Sequence, residues 1–234
     1  MKIIYYIVFC CFISFSLQAK IYDTKNNWEC ICITQQNILY AGGKNTLQYF
    51  ENNFTQPINL PKEMHISALV EYNSHLIIGT KKGEVYLYSI PLKSFQYLGS
   101  MQAEISNIHI IHQDIYIATL GNGIGVYTLN KWTQYNTNHQ LQNNYVYQIA
   151  SSAEGQMIGC SDKGLFYIQN KTISYPPLNQ ALHDIIITAF DKDKEGIYMG
   201  TQKGHFTQTQ LNDNANLQLN DTLYPYQTIN DFIV

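Results

Sequence analysis

The sequence contains no arginine: its 14 basic residues are all lysine, set against 17 acidic ones for a formal charge of −3. That absence removes the planar, bidentate fork best suited to carboxylates and phosphates. It also leaves no basic footprint for nucleic acid and excludes an arginine cluster of the sialidase kind. Cysteine is scarce too. Of the five, Cys10 and Cys11 lie in the N-terminal apolar stretch. Cys30, Cys32 and Cys160 remain, an odd number without a disulfide framework and without zinc spacing, so they read as buried free thiols.

Long apolar runs are equally few. The run over residues 3–17, IIYYIVFCCFISFSL, falls short of the roughly 20 residues needed to cross a bilayer. With Lys2 before it and Gln18-Ala19 after it, residues 1–19 read as a secretory signal peptide, a cut after Ser16 being the alternative. Phe9 before Cys10 argues against a lipoprotein cysteine. Residues 20–234 are therefore expected to be one periplasmic or secreted domain with no membrane span.

What is present is repetition. A short apolar run, a small residue, a polar turn and a second apolar run recur five times, as in LIIGTKKGEVYL over 76–87. Aligned on the small residue, the anchors are Ala41, Gly79, Ala118, Gly159 and Gly200, spaced 38, 39, 41 and 41 apart. Thirteen residues before them stand Trp28, Ile66, Ile105, Val146 and Ile187, each opening a β-rich run. In unit two, strands are expected at 66–72 (a), 75–79 (b), 84–89 (c) and 96–101 (d). Strand c is expected to alternate between buried and exposed positions.

A period of roughly 40 residues with four strands per unit marks a β-propeller blade. Each unit buries its faces only against its neighbours. The units are placed at about 28–64, 65–103, 104–144, 145–182 and 183–227. Loops are expected at 130–144 and 211–226, where Asn and Gln dominate. The last residues, 228–234 (TINDFIV), match the opening strand of the earlier units, with Ile229 standing 42 after Ile187. They are expected to begin a sixth blade of a partial propeller whose missing part held more. A closed five-bladed ring with 229–234 pairing elsewhere is the alternative.

The units IIGTKKGEVYLY, MIGCSDKGLFYI and YMGTQKGHF, each preceded by a strand and a short turn, resemble the two-component regulator propeller repeat. The resemblance covers residue 28 to the end. It departs from the pattern in lacking the tryptophan before Ile-Gly-Thr, where Ile77, Tyr116, Met157 and Tyr198 stand. It implies the periplasmic sensory half of a signalling protein, often a hybrid sensor kinase that detects glycan fragments. No kinase or helix-turn-helix follows here, so the chain is expected to be a fragment without its signalling domains.

Candidate chemistry is sparse. Asp191, Asp193 and Glu195 imitate the start of a calcium loop, but the twelfth position is Gln202 where a bidentate acid is required; a solvated turn accounts for them. His109 and His112 would point to opposite faces of a strand, which argues against a metal pair. No nucleophile elbow is present. No catalytic residue, metal or cofactor is expected.

Immediately before the residue that closes each b to c turn stand Lys44, Lys82, Asn122, Lys163 and Lys203. They form either an arc of ammonium groups that would capture an anionic ligand such as an acidic glycan, or simply exposed hairpin chemistry. Trp132, Tyr135, Tyr145 and Tyr147 would stack on sugar rings or pack the blades. Beside the ligand-sensing reading, a protein-interaction scaffold remains open. So does a propeller glycosidase or lyase, although the acids Asp162, Asp191 and Asp193 fall in turns rather than in the central channel.

Overall fold

A computed structural model describes residues 28–51, 54–151, 156–177, 179, 186–192, 197–201 and 206–209. Blade 1 comprises β1 (Trp28–Ile33), β2 (Leu39–Gly43), β3 (Thr46–Glu51) and β4 (Phe54–Pro57). Blade 2 comprises β5 (Ile66–Tyr72), β6 (His75–Thr80), β7 (Glu84–Ser89) and β8 (Ser94–Ser100). Blade 3 has β9 (Ile105–Ile111), β10 (Asp114–Thr119), β11 (Ile124–Thr128) and β12 (Lys131–Tyr135). Blade 4 has β13 (Val146–Ser151), β14 (Met157–Ser161), β15 (Gly164–Gln169) and β16 (Thr172–Ser174), and blade 5 shows β17 (Ile187–Lys192), β18 (Ile197–Thr201) and β19 (Phe206–Thr209). Every sheet is an antiparallel meander in chain order. The signal-peptide stretch and the expected sixth opening strand lie outside the described residues. Among the described residues, no helix is long and apolar enough to cross a membrane.

The core lies between the blades rather than within them. Tyr40 and Leu47 of blade 1 pack with Ile66, Leu76 and Ile78 of blade 2, and Ala68, Ile77 and Val85 of blade 2 with Ile105, Ile115 and Ile117 of blade 3. Ile124 and Val126 of blade 3 then meet Val146, Ile149 and Phe166 of blade 4, whose Ile158, Cys160 and Leu165 meet Ile187, Phe190 and Met199 of blade 5. The first strands pack in succession, β1 on β5, β5 on β9, β9 on β13 and β13 on β17. This is the radial arrangement of a β-propeller with the a strands innermost. A unit removed from it would expose both faces.

The pairing register corrects two of the anchors. The opening residues pair as Trp28 with Gly43, Ile66 with Thr80, Ile105 with Thr119, Val146 with Ser161 and Ile187 with Thr201. Each strand then bulges over one residue, and the next pairs are Cys30 with Gly42, Ala68 with Gly79, Asn107 with Ala118, Gln148 with Cys160 and Ala189 with Gly200. The equivalent positions are thus Gly42 and Cys160, not Ala41 and Gly159. The offset follows the parity of the a to b connection: five residues, an odd number, separate β1 from β2 and β13 from β14, whereas two separate β5 from β6 and β9 from β10 and four separate β17 from β18. An odd connection leaves an even spacing, so opener and anchor stand 14 residues apart in blades 1 and 4 and 13 in the others. Gly159 has a different task, because a Cβ there would lie 2.3 Å from Cζ of Phe166.

Three further expectations change. Residues 131–135, expected in a loop, form β12, since the alternation of KWTQY places Trp132 opposite Tyr127 and Tyr135 opposite Ile124. Asp191 and Lys192, expected in a turn, complete β17. Strand c does not alternate: Val85, Tyr86 and Tyr88 are all buried, because neighbouring blades cover both of its faces, and exposure begins at the rim strand β8, which starts at Ser94.

Burial pushes the thiols of Cys30 and Cys160 up to about 12 and that of Cys32 up to about 11. Because thiolate is the reactive form, thiol–disulfide exchange at these positions at pH 8 is expected to be at least tenfold slower than in urea-unfolded protein. Rates followed with a chromogenic disulfide reagent check this.

Candidate functional site

Because strand a leaves from the face at which b ends and c begins, the b to c turns and the d to a connections share one face of the propeller. The turns are built alike. In blades 2, 3 and 4 a buried hydroxyl one residue after the anchor holds the turn: Oγ1 of Thr80 accepts from the Glu84 amide at 2.9 Å, that of Thr119 from the Asn122 amide at 3.0 Å, and Oγ of Ser161 from the Lys163 amide at 3.2 Å, whereas blade 1 has Gly43 at that place. The closing residue is left-handed in every described turn, with φ of 55° at Asn45, 80° at Gly83, 73° at Gly123 and 87° at Gly164. Glycine is needed at Gly123 for space as well, since a Cβ there would lie 2.1 Å from the Tyr135 carbonyl oxygen.

This geometry presents the residue before the closing position. Lys44, Lys82 and Lys163 are exposed, and no ion pair among the described residues holds them. Asn122 is committed elsewhere: its Nδ2 donates to the Met101 carbonyl at 2.7 Å and ties the turn of blade 3 to the end of blade 2. Lys203 lies outside the described residues.

The aromatic candidates divide. Trp132 is half-buried between blades, with Nε1 donating to the Leu98 carbonyl at 3.0 Å and its ring 5.0 Å from that of Tyr127. Tyr135 packs against the core shared by blades 3 and 4. Tyr147 donates its hydroxyl to Asp162 Oδ1 at 2.5 Å, and Asn143 Nδ2 donates to the other carboxylate oxygen at 3.3 Å. Tyr145, 51% exposed, is the ring presented outward on this face. His109 lies within β9, while His112 occupies the a to b turn with φ 58° rather than a strand. Among the described residues no group of side chains is arranged to hold a metal. Asp193, Glu195 and Gln202 lie outside the described residues.

A charged chain on the same face was not picked out from the sequence. Glu29 bridges His65 Nε2 at 2.5 Å and Lys81 Nζ at 2.7 Å, and Lys81 lies 4.0 Å from Glu104. Lys62 pairs with Glu84 at 2.6 Å over the ring of Tyr86. The available signal was position: Glu29, His65 and Glu104 each adjoin an opening residue, so the propeller sets them at one height around its axis. Within this sector cations and anions alternate, which leaves the outer lysines as its source of positive potential.

Partial burial on its own would raise the Glu29 carboxyl, but hydrogen bonds from Lys81 and His65 outweigh it and hold the group below the ordinary carboxylate range. A depressed carboxylate contributes stability above its unfolded-state pKa and loses it as pH falls through the folded one. Glu29→Gln is therefore expected to cost less than about 1 kcal/mol at pH 7, the scale of solvent-screened pairs, and nothing in strong acid. Urea unfolding at the two pH values checks this.

No protein-family model matches the chain, and no curated protein does. Solved structures do. The extracellular domain assigned to the one-component system BT4673 of B. thetaiotaomicron superposes with a TM-score of 0.72 at 16% identity, over 85% of this chain and 28% of that one. The extracellular domain of the hybrid two-component system BT3049 from the same organism gives 0.65 at 15% identity, over 82% of this chain and 30% of the other. The WD40 propeller domain of Doa1 gives 0.66 at 13%, over 86% and 70%. The fold is thus a β-propeller, and this chain spans less than a third of the length of the two extracellular chains it resembles.

Proposed function

We propose that residues 20–234 form a ligand-sensing propeller module of an exported signalling protein, acting by binding rather than by catalysis. The observation that carries this reading is the superposition on extracellular domains of one-component and hybrid two-component systems over more than four-fifths of the chain. The apolar N-terminal run agrees with export. The ligand is an anionic oligosaccharide, drawn to the b to c face by Lys44, Lys82 and Lys163, with Lys203 at the corresponding position of unit five.

Thermal unfolding with oligogalacturonate, and with neutral xylo-oligosaccharide as control, tests it. At a hundredfold excess over Kd a ligand stabilises by about 2.7 kcal/mol, a shift of several degrees for a domain of this size. The charge-reversed pair Lys82→Glu with Lys163→Glu is expected to abolish the shift while leaving the ligand-free Tm unchanged. An equal shift in the variant would remove the lysines from the site. No shift with any oligosaccharide, together with a stable protein partner in pull-down, would favour a scaffold instead.

A further inference from the structure

Strand c of each blade runs away from the candidate face, so the c to d turns lie on the opposite one. Two of these turns present leucine. Leu92, in the four-residue turn between β7 and β8, is 78% exposed, and Leu129, in the two-residue turn between β11 and β12, is 87% exposed. Among the described residues no other large apolar side chain is as open to solvent.

A lone exposed leucine is ordinary, but the backbone beneath Leu129 is not. Both residues of its turn are left-handed, with φ of 49° at Leu129 and 62° at Asn130, a geometry that asparagine and glycine suit and a bulky side chain resists. The two-residue c to d turn of blade 4 has the same hand, with φ of 49° at Asn170 and 68° at Lys171, and there asparagine stands first. Blade 3 thus holds a disfavoured residue and gains no burial from it. Strain without burial in return points to a functional position.

Lysines flank these tips. Lys93, Lys131 and Lys171 are all exposed, and no ion pair among the described residues holds them. The acid beside the blade 3 turn, Asp114, is engaged by Thr128, whose Oγ1 donates to it at 2.6 Å.

We infer that the c to d turns of blades 2, 3 and 4 dock on an anionic phospholipid surface, with Leu92 and Leu129 entering the headgroup layer and the three lysines meeting lipid phosphates. Apolar side chains that project singly from separate hairpins suit a bilayer, which needs no matching relief, better than a protein partner, which needs a continuous complementary patch. Each lysine adds about fivefold to partition onto anionic lipid. Docked this way, the chain holds its b to c face away from the membrane and open to solutes. The inference does not depend on which ligand that face takes.

Flotation of the protein, collected after export from a bacterial host, with vesicles of phosphatidylglycerol and phosphatidylethanolamine tests this, phosphatidylcholine vesicles being the neutral control. Binding is expected with the anionic vesicles and is expected to weaken as salt is added. Leu129→Asn is expected to lower the partition coefficient by roughly tenfold, the scale of one aliphatic side chain, while raising Tm slightly because asparagine relieves the turn. Lys93→Glu with Lys131→Glu is expected to lower it by roughly twentyfold. The photocrosslinker p-benzoylphenylalanine is expected to join lipid from position 129 and not from position 82 on the other face. Equal flotation of the wild type and Leu129→Asn, flotation with neutral vesicles as strong as with anionic ones, or lipid links from 82 as readily as from 129 would overturn the inference. Absence of flotation would overturn it as well and leave the tips to a protein partner.

Discussion

Trp132→Ala is expected to cost about 3–5 kcal/mol, the range for removing a large aromatic from packed surroundings, and to lower Tm by roughly 10 °C on the scaling for domains of this size. The indole lies between rim strands of two blades. It donates to the Leu98 carbonyl and stands tilted at 52° against the Tyr127 ring, and a Cβ on Gly99 would lie 2.6 Å from its Nε1. Gly99 has φ 151°, a conformation that leaves the strand bare where the ring approaches. Trp132→Phe keeps most of the apolar contact and loses one neutral hydrogen bond, so it is expected to cost about 1–2 kcal/mol. A sugar-stacking role predicts the reverse pattern: unchanged unfolding and a lost ligand shift. Calorimetry of both variants, with and without oligosaccharide, separates the two.

Gly79→Ala is expected to destabilise by about 1–3 kcal/mol through overpacking, because a methyl there would lie 2.5 Å from Cγ2 and 3.0 Å from Cβ of Ile105 in the next blade. Ile105→Ala alone is expected to cost about 2–5 kcal/mol, its side chain being wholly buried. Combining them places the new methyl in the space that the isoleucine leaves. The double variant should therefore be less destabilised than the two single losses added together, by about 1 kcal/mol or more. Strict additivity in denaturant unfolding would mean that the seam between blades 2 and 3 does not close at this pair.

These two positions show what the sequence discloses and what it withholds. Strands a, b and c of unit two were legible almost to the residue, because Ile66–Tyr72, His75–Thr80 and Glu84–Ser89 are β-branched and aromatic runs cut by short polar turns. The anchors of units one and four were displaced by one, since counting from one alignment cannot see that their a to b connections hold an odd number of residues. β12 was hidden by its Asn-rich surroundings; its pairing depends on Tyr127 and Trp132 meeting across the sheet, a tertiary fact. On the candidate face, the turn lysines were legible as a recurring position, and the structure presents Lys44, Lys82 and Lys163 outward. The commitment of Asn122 to blade 2 and the Glu29–His65–Lys81 chain were not legible, because they join residues of different units.

The bulge residues of β5 and β9 carry one more consequence. Ser67 Oγ donates to the Ile105 carbonyl at 2.7 Å, and Ser106 Oγ to the Val146 carbonyl at 2.5 Å. Each is a stitch from one blade to the next, at the end of strand a remote from the a to b hairpin. The a to b hairpin varies in length between units, two residues at 73–74 and five at 34–38, without reaching the stitched end. Foreign peptides, affinity tags or fluorescent labels grafted at 34–38 should accordingly ride on the packed blades without disturbing their assembly, whereas the same cargo placed at 81–83 would pry open the stitched end.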